Sequence, residues 1–456
     1  MTAVLRDELD DPAPGARVPF GRLGPAEAAR LAEILGVLAR HGVLTVVRTS
    51  GTFALHPRSQ PPRALAVALR RSFVELGPTF IKLGQLIASS PGLFPELLAT
   101  EMRQLLDAVP PESSPRVVRI IERQLGAPLG RLFADFDPVP IAAASIAQVH
   151  RARLFDGTDV AVKVRRPRLR GRVERDLKLL RLLAGGLGHA GALGRAANPT
   201  AVVDDLALTM REELDLRREA RDMVAFGANL AVRPGARPVI VPTPIDGMVG
   251  ERVLVMTFID GVPVDDGDAL RAAGHDLEDI LRTGMLAWMQ SAFVHGLFHG
   301  DMHAGNVFIT PRGEVAFLDF GIMGRLSPAT RAVFLRLLPA VVMGERDYAL
   351  VLRALADLGG VTRPLDLERA VADLEELVVP LVERPLGDVV YGEVLDALLR
   401  VATTHHIRLP RELVALVKQL LYFERYAKDL APDYEMYNDP VVLEVVLAGL
   451  AGAAAD

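Results

Sequence analysis

Apolar positions in the first part of the chain recur at helical spacing. Leu31, Ile34, Leu35 and Leu38 fall on one face of residues 26–47, which predicts an amphipathic helix. Pro61-Pro62 opens a helical block that runs to about residue 125. Gly77-Pro78, Pro91-Gly92 and Pro110-Pro111 divide it into short helices. Near Pro138 the texture changes. Val149–Leu154 and Val160–Val164 predict two strands joined by a turn at Asp156-Gly157. A helix-rich stretch follows, broken by the Gly/Ala-rich segment Gly185–Ala197, and residues 208–228 read as helical. Strands are predicted at Val239–Val241 and Val253–Ile259. From about residue 275 helices dominate, apart from short strands around Val307–Ile309 and Val315–Leu318. A small strand-containing lobe followed by a larger helical one, with an extra helical block in front, is a bilobal α+β architecture.

The chain has 456 residues, half of them apolar and 24% charged, an ordinary globular balance. A net charge of −5 gives no basic excess, which lowers the rank of a dedicated nucleic-acid binder, and no nucleic-acid partner is expected. The absence of cysteine excludes disulfides, thiolate metal sites and cysteine nucleophiles. The 52 basic residues are 47 Arg and 5 Lys, so each lysine is informative. Met1–Gly24 is acidic and rich in Pro and Gly. It lacks the basic start and apolar run of a signal peptide, so a cytoplasmic location is expected. The apolar run Val441–Ala455 is short and interrupted by Glu444, and reads as a terminal helix rather than a membrane span.

The most specific segment is His299-Gly300-Asp301-Met302-His303-Ala304-Gly305-Asn306, followed by Asp319-Phe320-Gly321. The first matches the H-x-D-x-x-x-x-N catalytic loop of kinases and the second their D-F-G metal motif. Phosphoryl transfer needs an Asp beside the acceptor hydroxyl, here Asp301. It also needs an Asn and an Asp to hold magnesium ions against the phosphates, here Asn306 and Asp319. The 18 residues from Asp301 to Asp319 accommodate a hairpin with its turn at Pro311–Gly313, and little more. Val160-Ala161-Val162-Lys163 is similar to the V-A-I-K strand, whose lysine holds the α- and β-phosphates of ATP. In a strand, that lysine points to one sheet face while its neighbours pack the other. A helix glutamate must hold it, and Arg211–Glu219 offers two candidates. On the residues alone Glu219 and Glu213 both stay open, and only the resemblance given below favours Glu219. Where ordinary protein kinases carry a Gly-rich loop, this chain has Ala142-Ala143-Ala144-Ser145-Ile146-Ala147-Gln148. Alanine restricts the backbone freedom that glycine allows. Ala142, Ala143, Ala144, Ser145 and Gln148 would still meet the nucleotide through backbone N–H groups and a hydroxyl. Met256 and Phe258, on the strand Val253–Ile259, are further nucleotide-side positions.

Together these residues resemble the UbiB/AarF family of atypical protein-kinase-like proteins. The alanine-rich loop is one of that family's marks. A second is K-x-G-Q, here Lys82-Leu83-Gly84-Gln85, and a third is E-x-D, here Glu213-Leu214-Asp215. The resemblance implies a bilobal kinase-like fold with an N-terminal helical extension carrying K-x-G-Q and a large helical C-lobe. On that reading residues 1–60 are a tail and amphipathic helix, 61–130 the extension, 131–262 the N-lobe with a helical insert, and 263–456 the C-lobe. The resemblance also implies that Lys82 and Gln85 lie beside Glu213 and Asp215, where the extension obstructs peptide substrates. It implies ATP and Mg2+ as cofactors and pairing of copies through the extension. The family's loop usually reads H-A-D-x-H-P-G-N. Gly300 and Ala304 depart from it without removing a functional group.

The expected function is an ATP- and magnesium-dependent atypical kinase or ATPase that supports isoprenoid-quinone or other membrane-lipid metabolism. The alternatives are a nucleotide-gated protein that binds a lipid or quinone precursor with little turnover, and a Ser/Thr protein kinase. The alanine loop, the K-x-G-Q block and the lack of an A-P-E segment after Asp319 disfavour the last. Six arginines within Arg165–Arg175 suggest a peripheral contact with an anionic membrane at its inner face, each residue contributing ~1 kcal/mol. The competing reading of that run is a solvated helix face. Lys163 and Lys82 sit in motifs, whereas Lys178, Lys418 and Lys428 have no assigned role.

Overall fold

The computed structural model describes residues 23–43, 63–88, 94–105, 111–189, 199–230, 237–328, 330–333, 347–361, 364–382, 391–407 and 411–434. Most of the acidic tail, the second half of Gly185–Ala197, Pro61-Pro62, Pro91-Gly92, Pro110 and the run Val441–Ala455 lie outside the described residues.

In chain order the first elements are helices α1 (Pro25–Arg40), α2 (Arg63–Leu76), α3 (Pro78–Ala88), α4 (Glu96–Met102), α5 (Ser114–Leu125) and α6 (Leu129–Leu132). Strands β1 (Asp135–Ala143), β2 (Ala147–Arg153) and β3 (Asp159–Arg165) follow, then helices α7 (Leu169–His189), α8 (Pro199–Glu213) and α9 (Leu216–Asn229). Next come β4 (Val239–Ile240), β5 (Pro244–Val249), β6 (Val253–Thr257) and β7 (Val262–Pro263), α10 (Gly267–Ala272) and α11 (Leu277–Met289). Then come β8 (Leu297–His299), β9 (Val307–Ile309), β10 (Val315–Phe317) and β11 (Met323–Arg325). Helices α12 (Tyr348–Gly359), α13 (Leu367–Val382), α14 (Tyr391–Thr404) and α15 (Arg411–Leu430) close the order.

The chain divides into two compact units. One comprises the residues up to Ala88, Leu93–Leu106 and Arg168–Met210; the other comprises Ser89–Gly92, Asp107–Pro167 and Arg211–Asp456. The first unit is helical. Arg30 of α1 is buried and ties three segments: its guanidinium pairs with Asp176 of α7 (Nε–Oδ1 2.6 Å) and donates to the Leu76 carbonyl at the end of α2 (2.8 Å). In α3, Gly84 lets the helix approach its neighbours. A Cβ there would run into the Leu105 side chain and lie 3.1 Å from Phe73.

In the second unit, an antiparallel sheet in the order β1-β2-β3-β6-β5 has two differently used faces. Val160, Val162, Val164, Val253 and Val255 pack with Val117 and Ile121 of α5. Helix α5 ends at Gly126, whose left-handed backbone (φ 75°) closes the C-terminus. Ala161, Leu254 and Met256, on the opposite face, join the large core around Phe226 and Trp288. Lys163 pairs across the ladder with Leu254, so strand alternation puts it on that second face. A smaller sheet, β4-β10-β9-β7, contains the β9–β10 hairpin expected between Asp301 and Asp319, and Gly313 (φ 80°) makes its turn. Trp288 is fully buried against Phe298 and, from α15, Phe423.

Several elements differ from the sequence-based expectation. Residues 208–228 form two helices with a break at Leu214-Asp215, because Asp215 caps the second one by accepting from the Arg217 N–H (3.1 Å). Strand β1 carries Pro138 and Pro140, which hide its pattern and confine it to the sheet edge. Strands β5, β8 and β11 escape the periodicity because they are short or irregular. Three arginines of the run are bonded to backbone carbonyls within the fold, although only Arg165 is buried and Arg168 is exposed. Arg165 is buried and donates to the Leu214 carbonyl, Arg166 donates to the Ala144 carbonyl (3.0 Å) and Arg172 to the Leu76 carbonyl (3.1 Å).

Candidate active site

Strand β3, helix α9 and the loop after β10 bring three charges together. The Lys163 ammonium donates to Glu219 Oε1 (2.6 Å) and to Asp319 Oδ1 (2.8 Å). Of the two glutamates left open by the sequence, Glu219 is therefore the one bonded to Lys163. Glu213 ends α8 and acts on Glu219 through its charge. The helix break explains the choice, since capping by Asp215 starts a new helix whose first turn carries Glu219 on its buried face.

The three groups shape one another's protonation. Burial opposes the Lys163 ammonium, but the two carboxylates outweigh it and raise its pKa. Lys163 and the Gly321 N–H hold the Asp319 carboxyl well below the usual range. Glu219 is buried most completely. Burial and the Asp319 charge push it up to about 7 against the pull of Lys163. With both carboxylates ionised, the trio carries one net negative charge, an electrostatic invitation to a cation.

Asp319 occupies a left-handed backbone conformation (φ 52°) and its half-exposed carboxylate accepts from Gly321 N–H through Oδ1 (3.2 Å). Phe320 turns inward, where Phe226 of α9 and His299 of β8 contact its ring (centroids 5.5 and 5.2 Å). That aromatic cluster couples the glutamate helix, the H-x-D loop and the D-F-G turn. His299 is buried, which lowers its pKa and keeps the ring neutral. Its Nε2 meets the Leu318 carbonyl (2.8 Å), and its Nδ1 accepts from the Asp301 N–H (3.2 Å). Gly300 fits under Ile322: its N–H donates to the Ile322 carbonyl (2.9 Å), and a Cβ would lie 3.0 Å from Ile322 Cγ2. The departure from the family's alanine at this position is thus matched by its neighbour.

Asp301 projects from that loop between two basic groups, His303 (3.7 Å) and Lys418 (3.5 Å). The Asn306 amide N donates to the Asp301 carbonyl (2.9 Å). Asn306 Oδ1 and Asp319 Oδ2 take no part in these bonds. They are hard oxygens of the kind magnesium accepts alongside substrate phosphates, so the residues fit that ion.

The other expected positions are placed as follows. Ala142 and Ala143 end β1, paired with Val149 and Gln148. The Ala144 N–H closes the hairpin on the Ala147 carbonyl (2.8 Å), which removes one backbone donor expected at the nucleotide. Ser145 is half-buried at the tip. Gln148 needs a correction. It is fully buried on the sheet face opposite Lys163, its Oε1 accepts from Glu112 N–H (2.7 Å) and its Nε2 meets His150 (2.8 Å), so it braces the lobe. Met256 lies opposite Ala161 on the Lys163 face, and Phe258 packs beneath the Arg151 guanidinium (4.6 Å). Lys82 and Gln85 lie on α3, where Gln85 donates to the Leu105 carbonyl (3.4 Å). Asp215 holds Arg217 in a two-pronged ion pair (2.9 Å each).

Sequence reading missed the contribution of α15. Gln419 and Tyr426 bond the backbone beside Asp301, and Lys418 meets its carboxylate. A glutamine beside one of five lysines, interrupting the otherwise apolar run from Leu413 to Tyr422, was the available signal.

Residues 104–354 match the ABC1 atypical kinase-like domain and residues 374–435 the UbiB helical domain. A protein of Mycobacterium tuberculosis, itself named uncharacterized, is 40% identical over 425 residues, covering 93% of this chain and 84% of the relative. A protein of Marinobacter nauticus named probable protein kinase UbiB is 35% identical over 387 residues, covering 84% and 70%. A solved erythromycin complex of another M. tuberculosis protein aligns over 80% of this chain and 94% of its own, at 24% identity and a TM-score of 0.47. With its kinase-like and helical domains both matched, the chain belongs to the ABC1/UbiB family of atypical kinase-like proteins.

Proposed function

We propose that this chain is an ATP- and magnesium-dependent atypical kinase or ATPase. It would transfer the terminal phosphoryl group of ATP to water or to a small or lipid-borne acceptor, in support of isoprenoid-quinone or membrane-lipid metabolism. The observation that carries this reading is the simultaneous bonding of Lys163 to Glu219 and Asp319 in a unit that also presents Asp301 and Asn306.

Glu219 orients the Lys163 ammonium, which holds the α- and β-phosphates. Met256 and Phe258 form the apolar side of the nucleotide site. Asp301 takes the proton of the attacking hydroxyl as its oxygen bonds to the γ-phosphorus and the bond to the β-bridging oxygen breaks, releasing ADP. Asn306 and Asp319 would hold magnesium, which when bound neutralises phosphate charge. The K-x-G-Q and E-x-D motifs support a site obstructed to peptides. An acceptor smaller than a protein follows. Lipid-surface docking is supported less strongly, because Arg165, Arg166 and Arg172 are engaged internally.

The test is ATP turnover by the purified chain with magnesium, with and without anionic vesicles and phenolic acceptors, against Asp319→Asn. Turnover should fall at least about 100-fold in the variant, a loss in the range that electrostatic groups of this kind supply. Equal turnover in both proteins rejects the enzyme reading.

A further inference from the structure

The peptide carrying Asp301 is held from behind by a single helix outside the kinase-like domain. Gln419 of α15 is fully buried. Its Nε2 donates to the Gly300 carbonyl (2.7 Å) and its Oε1 accepts from the Met302 N–H (2.8 Å), so one side chain bonds the backbone on both sides of Asp301. A further bond from Nε2 to the Ala415 carbonyl (3.0 Å) holds that amide against its own helix. Two turns on, the Tyr426 hydroxyl donates to the Met302 carbonyl (2.8 Å). Lys418 reaches the carboxylate itself, 3.5 Å from Asp301 Oδ1, with its ammonium 5.6 Å from the Tyr422 ring centroid.

A loop with glycines at 300 and 305 has a soft backbone. A proton acceptor, in contrast, has to be held to within about 0.5 Å of its working position. Helix α15 is otherwise apolar on this side, with Leu416 and Phe423 in the same core, so leucine would pack there without burying an amide. A chain that writes Arg for 47 of 52 basic residues places one of its five lysines beside this carboxylate. An ammonium is a compact charge with three rotatable donors, which suits a single oxygen better than a planar fork.

We propose that Gln419 and Lys418 are positioning residues for Asp301, so that the helical domain completes the catalytic loop. Gln419 sets the backbone register of the loop and Lys418 sets the direction of the carboxylate. The effect on turnover rests on the kinase/ATPase reading above; the positioning itself does not.

The experiment compares Gln419→Leu, Lys418→Met and Lys418→Arg with the wild-type full chain. Misplacement of a reacting group costs rate rather than nucleotide affinity, so kcat for ATP should fall about 10-fold or more in the first two variants, with KM within about twofold. Lys418→Arg, which keeps the charge, should recover part of the loss. Hydrogen exchange of the peptide spanning residues 299–306 supplies a readout that needs no turnover. Gln419→Leu should speed it about 10-fold while the Trp288 region stays protected. A lower melting temperature with unchanged kcat and KM would make both residues merely structural, and unchanged exchange at 299–306 would overturn the Gln419 role. Should Gln419→Leu fail to fold, the partly exposed Lys418 decides through its kcat. If the wild type and Asp319→Asn both lack turnover, the functional reading fails, and the exchange result still decides the positioning.

Discussion

At the scale of single residues, the electrostatics of Glu219 make a pH prediction. Its carboxyl titrates near 4.5 in an unfolded chain and is pushed up to about 7 by burial in the folded one. Between those values the folded state holds a proton that the unfolded state has lost. Stability therefore declines as pH rises through that window. Lys163, raised, and Asp319, lowered, contribute their pH dependence outside it. Urea denaturation from pH 4.5 to 7.5 should show this decline, and Glu219→Gln should flatten it. An unchanged slope in the variant assigns the effect elsewhere. Lys163 and Asp319 were legible in the sequence because each belongs to a motif with a chemical task, whereas Glu219 belongs to none and Glu213 stayed open beside it. Gln148 was misread, because strand parity placed it on the sheet face opposite Lys163, and only the ladder fixes that parity.

At the scale of elements, the K-x-G-Q motif has a packing side as well as a chemical one. Gly84 is buried where α3 meets the turn at Leu105 and the Phe73 and Met102 side chains. Gly84→Ala gains up to about 1 kcal/mol of helix propensity, but it forces overpacking of about 1–3 kcal/mol. A net loss of about 1 kcal/mol, measured by chemical denaturation, is expected. A stabilised variant would show that Leu105 moves aside freely. Strands and helices with strong periods, β2, β3 and α5, were readable from the chain. The break between α8 and α9 was not, because helical periodicity continues through it and a capping side chain decides it. The edge strand β1 hid behind its prolines for a related reason: pairing, not propensity, makes it a strand.

For the molecule as a whole, the second unit has one large core to which the helical domain contributes Leu416, Phe423, Tyr426 and Leu430 alongside Trp288 and Phe317. A chain ending at residue 361 would expose that surface and leave the Asp301 loop without α15. It should aggregate or melt without a cooperative transition, seen by soluble yield and scanning calorimetry. A soluble, cooperatively melting fragment with wild-type turnover would contradict this. The sequence by itself determined the family and the order of the kinase-like motifs, because those rest on residue types at short, fixed spacings. The tertiary structure alone decided which glutamate meets Lys163, that Arg165 of the arginine run is buried against the Leu214 carbonyl, and that a helix more than a hundred residues away grips the Asp301 loop. Each of these depends on which faces meet across long sequence separations, and local periodicity carries no information about that.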